Sequence, residues 1–324
     1  MSGNFCTNAV RGRINPDLWL SGYAIGCGAD TFMGLNINEV KFLLGAKAQV
    51  VDFTSMVMIG RQRLYLNRNS LRSTLAAFGI HKTPAEVEQL FSEQQGYAEP
   101  FFKLLGAKEP GSIDASAYEG ASQVWDMNQP VPETLKDKFS LVLDGGSLEH
   151  VFNFPTAIKN CMEMVRVGGQ VINITPGNNY LGHGFYQFSP ELFFRIYNEA
   201  NGFKLEKLVL FETAPLARWY AVRDPELMGK RVEARTRRQT LLIVQARRTA
   251  IKPLFSLTPQ QSDYSVIWRG SGAGGPAGKS GGPAPQAPLA TRIIMKLPYG
   301  LKKPFWQLKE WWQPKMNPEG FEEI

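Results

Sequence analysis

Two runs of β-forming residues separated by an amphipathic helical pattern constrain this chain more than any other feature. Phe139–Leu143 (FSLVL) is a short apolar run that stops at Asp144-Gly145-Gly146, which reads as a buried strand ending in a loop. From Pro155 to Val167 the period changes, and Ala157, Ile158, Cys161, Met162, Met164 and Val165 fall on one helical face. Gly168-Gly169 is expected to stop that helix, and Val171–Ile174 to form a second strand. Strand, helix and strand in this order make a βαβ unit, whose right-handed crossover sets the two strands parallel. Loops that follow parallel strands emerge at one edge of the sheet, where open α/β sheets bind ligands.

The whole stretch, FSLVLDGGSLEHV followed by the helix and then VRVGGQVINITPGNNYLGHGFYQFSPELF, resembles the second half of a class I S-adenosylmethionine-dependent methyltransferase. In that family a strand ends in an acidic or small-residue loop, a Leu-Glu-His-Val-like turn follows, and a Gly-Gly precedes the next strand. The clear resemblance covers residues 139 to 195, and a fainter one runs from about 55 to about 248. It implies a Rossmann-like, doubly wound α/β sheet, mostly parallel and closed by an antiparallel C-terminal strand pair. It also implies S-adenosylmethionine as cofactor and a small-molecule or glycan-type acceptor.

The N-terminal part of such a sheet can be placed by its strand ends. Ser55–Ile59 (SMVMI) is read as the first strand, closed by Gly60-Arg61-Gln62, with Gly60 as the point where backbone can approach a ligand. The family usually carries Gly-x-Gly-x-Gly here, and this chain has one glycine. Gly111–Ser116 is read as the second strand, with Asp114 and Ala115 at its end, and Ser122–Asp126 as the third, with Asp126 and Met127 at its end. The resemblance assigns the acid after the second strand to the ribose hydroxyls and the acid after the third to the adenine amino group. A carboxylate suits a vicinal diol because it is acceptor-only with two oxygens. The competing reading makes Asp114 and Asp126 ordinary turn residues. Asp144 and Gly145 complete the expected cofactor set. An earlier Ile25-Gly26-Cys27-Gly28-Ala29 also resembles a glycine loop, but the run before it contains Ser21 and Gly22 and makes a poor buried strand.

Helices are expected over Asn36–Lys47, after Ser70 as cap, after the capping box Thr83-Pro84-Ala85-Glu86, and after Ser189-Pro190-Glu191. Phe203–Phe211 and Gln239–Ala246 are expected as the antiparallel pair, with the basic segment Arg218–Arg238 as an exposed insertion between them. The expected organisation is an irregular arm over 1–34, one domain over 35–250, a flexible linker over 251–288 and a basic aromatic tail over 289–324. Gly270–Pro288 is mainly Gly, Pro, Ala and Ser, too poor in apolar residues to repay ordering. Its AGGPAGKS matches a phosphate-loop pattern, but Gly281-Gly282-Pro283 forbids the helix such a loop needs.

Composition narrows the function classes. Apolar residues make up 44% of 324, enough for a sizeable core, and the net charge of +7 is concentrated in the C-terminal third. Cys6, Cys27 and Cys161 are scattered without a CxxC pair, which points to a reducing, cytoplasmic setting, and no apolar run approaches the length of a membrane span. The tail mixes Phe305, Trp306, Trp311 and Trp312 with lysines and offers a contact surface for an acidic membrane or a protein. Nucleic-acid binding rests only on the cluster Arg218–Arg248 and is disfavoured, since a basic cluster is usually a solvated face.

For proton transfer the candidates are His183, in the loop after Val171–Ile174, which could instead hold that loop by hydrogen bonding, and His150, which with Glu149 follows the strand ending at Asp144 and could instead cap the next helix or position the cofactor. No metal site is expected. The alternative to an enzyme is a methyltransferase-like binding module that has lost catalysis, suggested by the sparse glycine loop. A nicotinamide-dependent enzyme would need Gly-x-Gly-x-x-Gly where this chain has Gly60-Arg61-Gln62-Arg63-Leu64.

Overall fold

A computed structural model describes residues 34–49, 51–214, 217–262 and 316–324. The candidate glycine loop at 25–29, most of the N-terminal arm, the Gly/Pro-rich stretch and the tail up to residue 315 lie outside the described residues. In chain order the elements are β1 (Gly34–Leu35), α1 (Ile37–Ala48), β2 (Met56–Ile59), β3 (Arg63–Leu64), α2 (Arg68–Ala77), α3 (Pro84–Ser92), α4 (Glu99–Leu104), β4 (Gly111–Asp114) and β5 (Gln123–Val124). They continue as β6 (Phe139–Asp144), α5 (Phe154–Met164), β7 (Val165–Asn178), α6 (Pro190–Ile196), β8 (Phe203–Glu212), β9 (Trp219–Val222), α7 (Pro225–Met228), β10 (Thr240–Arg248) and β11 (Phe321–Glu323).

Nine of the strands form one sheet in the order β11-β9-β8-β10-β7-β6-β2-β4-β5. From β5 to β7 every pairing is parallel, and beyond β7 every pairing is antiparallel. The chain winds from β2 outward through β4 to β5, then returns to the other side of β2 as β6. This is a Rossmann-like doubly wound sheet, and its strand order reverses between β2 and β6.

Side-chain alternation explains why the strands are buried on both faces. Met56 and Met58 of β2 and Leu141 and Leu143 of β6 enter one core with α1 to α4, while Val57, Ile59 and Val142 enter the other with α5 and α6. Each fully buried side chain of this size contributes about 1.5–3 kcal/mol of transfer free energy, so these short strands are held by their two faces rather than by length.

The capping box at Thr83 forms as expected, and Ser189 caps α6. The cap of α2 is Asn67, not Ser70; Asn67 Oδ1 accepts from Asn69 N and Ser70 N. A larger difference concerns Gly168-Gly169. The helix ends earlier, at Met164, and the glycines sit inside the long strand β7, at a register shift against β6. Gly168 has φ +81°, and a Cβ on Gly169 would lie 2.8 Å from the Ser140 carbonyl oxygen. The pair is therefore a bulge, and Val165, which fits the helical stripe, is buried as the first strand residue.

The basic segment between β8 and β10 is not simply an exposed insertion. Trp219–Val222 adds to the sheet as β9, and residues 321–323 of the expected tail cover its edge as β11. The C-terminal acids then meet the basic cluster: Arg218 pairs with Glu323, Arg223 with Glu322 and Lys230 with Glu319. Arg248, counted with that cluster in the sequence, is 4% exposed. The start of the expected linker also lies on the domain, with Phe255 N donating to Asn201 Oδ1 and Ser262 N to Glu191 Oε1.

Glu39 completes the capping box of α1 by accepting from Asn36 N and Nδ2, each at 3.0 Å. Burial pushes its pKa up from 4.5 to about 7. The folded chain then holds this proton more tightly than the unfolded chain, so the contribution to stability is full below pH 4.5 and declines towards pH 7. Glu39→Gln is expected to flatten that decline, by on the order of 1–3 kcal/mol across the window, as read from urea unfolding at a series of pH values.

Candidate functional site

The parallel half of the sheet brings its C-terminal strand ends to one edge. Ile59 is in register with Ile113 on one side and Asp144 on the other, and Gly60 N donates to the Ile113 oxygen at 2.8 Å. Trp125 N donates to the Asp114 oxygen at 2.8 Å. Gly60, Asp114, Asp126 and Asp144, scattered through the sequence, therefore lie along one rim beside the reversal point. Gly60 turns there with φ +69°, a conformation that glycine adopts without steric cost.

The residues on this rim face different ways. Asp114 is half-buried, and among the described residues its carboxylate accepts one hydrogen bond, from Ser116 N to Oδ1 at 3.0 Å. Ala115 beside it is exposed. Asp126 is exposed, and its Oδ1 accepts from Asn128 N and Nδ2, closing a turn. Met127 is buried, and its carbonyl accepts from Nδ2 of Asn160, a buried side chain of α5 that also donates to Gln129 O and accepts from Val131 N. Asn160 thus fixes the loop after β5.

Asp144 faces inward. It is fully buried, with Oδ1 accepting from Ser147 N and Leu148 N and Oδ2 from Asn173 Nδ2, whose own oxygen accepts from Tyr197 Oη at 2.6 Å. Burial first, then the nearby Glu149 carboxylate, push its pKa up to about 7. Its carboxyl group shapes the turn after β6 from beneath.

Arg61 and Gln62 also turn inward. The Arg61 guanidinium lies 3.8 Å over the Tyr97 ring, pairs with Glu99 at 2.6 Å, and donates to Glu119 O at 2.7 Å and Gln94 Oε1 at 3.0 Å. It ties the loop after β2 to the loop between β4 and β5. Gln62 is fully buried, with Nε2 donating to Ile59 O at 3.2 Å and Oε1 receiving no hydrogen bond. A Cβ on Gly145 would lie 2.4 Å from that oxygen, so the position needs glycine for Gln62 to pack there.

Further along the rim the fold assembles a second group. A short turn at Leu148–His150 follows β6, and the loop at residues 180–187 follows β7. Phe185 N donates to the Glu149 carbonyl at 2.8 Å, and a Cβ on Gly184, at φ +67°, would lie 2.8 Å from that same oxygen. Glycine at 184 therefore lets the two loops meet. His183 Nε2 comes within 3.4 Å of Glu149 Oε1, and the rings of His150 and His183 stand edge to face with centroids 4.7 Å apart. Glu149 is 1% exposed, and its Oε2 has no hydrogen-bond partner. Burial and the adjacent His183 hold the His150 imidazole below its usual range, although Glu149 opposes them. Tyr180, 5.5 Å from His183, is pushed up to about 12 by burial and by the carboxylates of Glu39 and Glu149.

The two candidate histidines are thus brought together, and Glu149, which the sequence offers beside His150, joins them; neither residue caps α5, whose N-cap is Asn153. Arrangements of this kind can orient an acceptor molecule and take a proton from it.

The sequence matches no protein-family model and no curated protein. Among solved structures it is similar to the Burkholderia thailandensis 1,6-didemethyltoxoflavin-N1-methyltransferase with bound S-adenosylhomocysteine, at 13% identity over 66% of this chain and 78% of that one, with a TM-score of 0.36. It is also similar to the trans-methyltransferase CalH in complex with S-adenosylhomocysteine, at 12% identity over 65% of this chain and 56% of that one, TM-score 0.32. A third similarity is to the Thermus thermophilus branched-chain polyamine synthase in complex with 5′-methylthioadenosine, at 11% identity over 69% and 61% of the two chains, TM-score 0.30. The fold assignment rests on the strand order and register described above. Among the described residues no helix is long and apolar enough to cross a membrane.

Proposed function

We propose that this chain transfers the methyl group of S-adenosylmethionine to a small-molecule or glycan-type acceptor. The single observation that carries this reading is the rim at the reversal point between β2 and β6, where the half-buried Asp114 carboxylate sits one strand from Gly60 and the Glu149–His150–His183 group sits beyond Asp144. The residues fit such a cofactor on two counts. Asp114 has an oxygen uncommitted among the described residues, suited to a vicinal diol, and the buried Gln62 Oε1 lacks a donor that a ligand ammonium would supply.

In this reading Asp114 and Ala115 take the ribose, and Asp126 and Met127 border the adenine. Gly60, Arg61, Gln62 and Gly145 surround the methionine end, while Asp144 holds the turn beneath it. The bound cofactor supplies a methyl group activated by its sulfonium. The chain's own task is then to place the acceptor in line, exclude water and accept a proton where the acceptor carries one. His183, held against Glu149, is the proton acceptor, and His150 flanks it. Titration calorimetry of the folded chain with S-adenosylmethionine and with S-adenosylhomocysteine tests the cofactor assignment. Heat is expected with both; silence with both removes it.

The second reading, a binding module without turnover, draws support from Arg61, whose ties to Glu99, Gln94 and Glu119 fill part of the space between the loops after β2 and β4. Cofactor binding with no label transferred across a broad acceptor panel would favour it. Transfer to any acceptor would end it.

A further inference from the structure

We propose that Glu149, His150 and His183 form a binding site for one divalent transition-metal ion, with zinc as the reference occupant. One donor atom from each of the three lies within 4.8 Å of the other two. Ligands of a tetrahedral zinc ion, at bond lengths of about 2.0–2.2 Å, stand about 3.3–3.6 Å apart. His183 Nε2 and Glu149 Oε1 already hold that separation, at 3.4 Å. The third ligand, His150, stands edge to face against His183 with ring centroids 4.7 Å apart.

A second observation points to a cation independently of this spacing. Glu149 is 1% exposed, and Oε2 of its carboxylate is buried with no hydrogen-bond donor among the described residues. Leaving a carboxylate oxygen buried and unpaired is costly, and a metal ion in contact with the group removes that cost. The backbone is built to hold the three in place, since the Glu149 carbonyl accepts from Phe185 N and Tyr186 N, and Gly184 permits the close approach. That contact between loops holds the His183 backbone close to Glu149.

The donor set selects the kind of ion. Two imidazoles and one carboxylate suit zinc and its first-row neighbours, whereas magnesium and calcium favour all-oxygen sites. Three protein ligands leave a position open, the pattern of reactive rather than purely structural zinc sites. An oxygen or nitrogen of the acceptor would occupy that position and lose its proton more readily there, to solvent, since with the ion bound the His183 nitrogen serves as a ligand and not as the proton acceptor. This last role rests on the methyl-transfer reading; the ion site itself does not.

The experiment uses the tag-free full-length chain, stripped with chelator and titrated with zinc against a chromogenic zinc indicator, alongside His150→Ala, His183→Ala and the control His81→Ala. One equivalent is expected to bind to the wild type and to His81→Ala, and each site variant should bind at least about tenfold more weakly. Zinc should raise the melting midpoint of the wild type and leave that of the His150→Ala/His183→Ala double variant unchanged. Because His150 is exposed, its replacement leaves the core intact. Cobalt(II) should give the intense visible absorption of a four-coordinate site in the wild type and in His81→Ala, and not in the double variant. Absence of zinc binding by the wild type, or equal binding by the double variant, overturns the proposal. Zinc binding without calorimetric heat from S-adenosylmethionine would retain the ion site and remove the methyl-transfer reading, so the two failures are separable.

Discussion

Asp114→Asn is expected to weaken binding of S-adenosylmethionine and S-adenosylhomocysteine by roughly 10- to 100-fold while leaving the melting midpoint unchanged. The affinity loss follows from hydrogen-bond chemistry. A carboxylate presents only acceptors to a diol, and the amide replaces one of them with a donor. Hydrogen bonds to a charged group contribute about 1.5–3 kcal/mol each, which converts to about that range in affinity. The stability expectation follows from local structure, because the one hydrogen bond of the side chain among the described residues is from the Ser116 N–H to Oδ1, which an amide oxygen accepts equally well. Calorimetry on both variants, paired with thermal melts, reads the two quantities separately. Unchanged affinity in a folded Asp114→Asn protein would remove the carboxylate from the ribose. Asp126→Asn is expected to have a smaller effect, since that side chain is exposed and already closes its own turn.

Arg248→Met is expected to be the most destabilising of the substitutions considered, at about 3 kcal/mol by urea unfolding. Arg248 is 4% exposed, and its Nη1 donates to Val165 O at 2.7 Å, Glu163 O at 3.1 Å and Asp137 Oδ1 at 2.5 Å. The first two are carbonyls at the junction of α5 and β7, where the chain leaves the helix and enters the sheet without a break. Removing the guanidinium takes that donor from Val165 O in the core at about 1–3 kcal/mol, whereas Glu163 O keeps the Asp137 N–H at 2.9 Å. Asp137 adds less than a fully buried partner would, because its side chain is 46% exposed and regains water. Arg247, next in the chain, provides the contrast. Its side chain is 35% exposed and pairs with Glu206, so Arg247→Ala should cost about 1 kcal/mol or less by the same measurement.

These two substitutions also mark how far the sequence could be read. Arg248 belongs by composition to a basic cluster, and no periodicity distinguishes it from Arg247. Only the packing of β10 against the end of α5 sends one side chain inward and the other towards solvent. The same holds for the acids on the rim. Strand ends were legible at Ile59, Asp114 and Asp144, because short apolar runs broken by Gly or Asp have few other solutions. Whether a carboxylate at such an end faces a ligand or the core depends on its neighbours across the sheet. Asn173 and the Ser147 and Leu148 amides draw Asp144 inward, whereas among the described residues nothing comparable holds Asp114. The early start of β7 was hidden because Val165 satisfies both the helical stripe and the strand. The edge strands β9 and β11 were hidden because each is short and its partner lies far away in sequence.

The sequence alone therefore determined the βαβ unit with its parallel strands and the edge at which loops gather, since these follow from local hydrophobic period and the handedness of the crossover, while the antiparallel closure was what the family resemblance implied. Tertiary structure decided which polar groups meet there. Glu149 and His183 come from different loops, and no local rule relates their positions. They are joined by the Glu149 carbonyl accepting two backbone amides and by a glycine at 184 that leaves room for that approach.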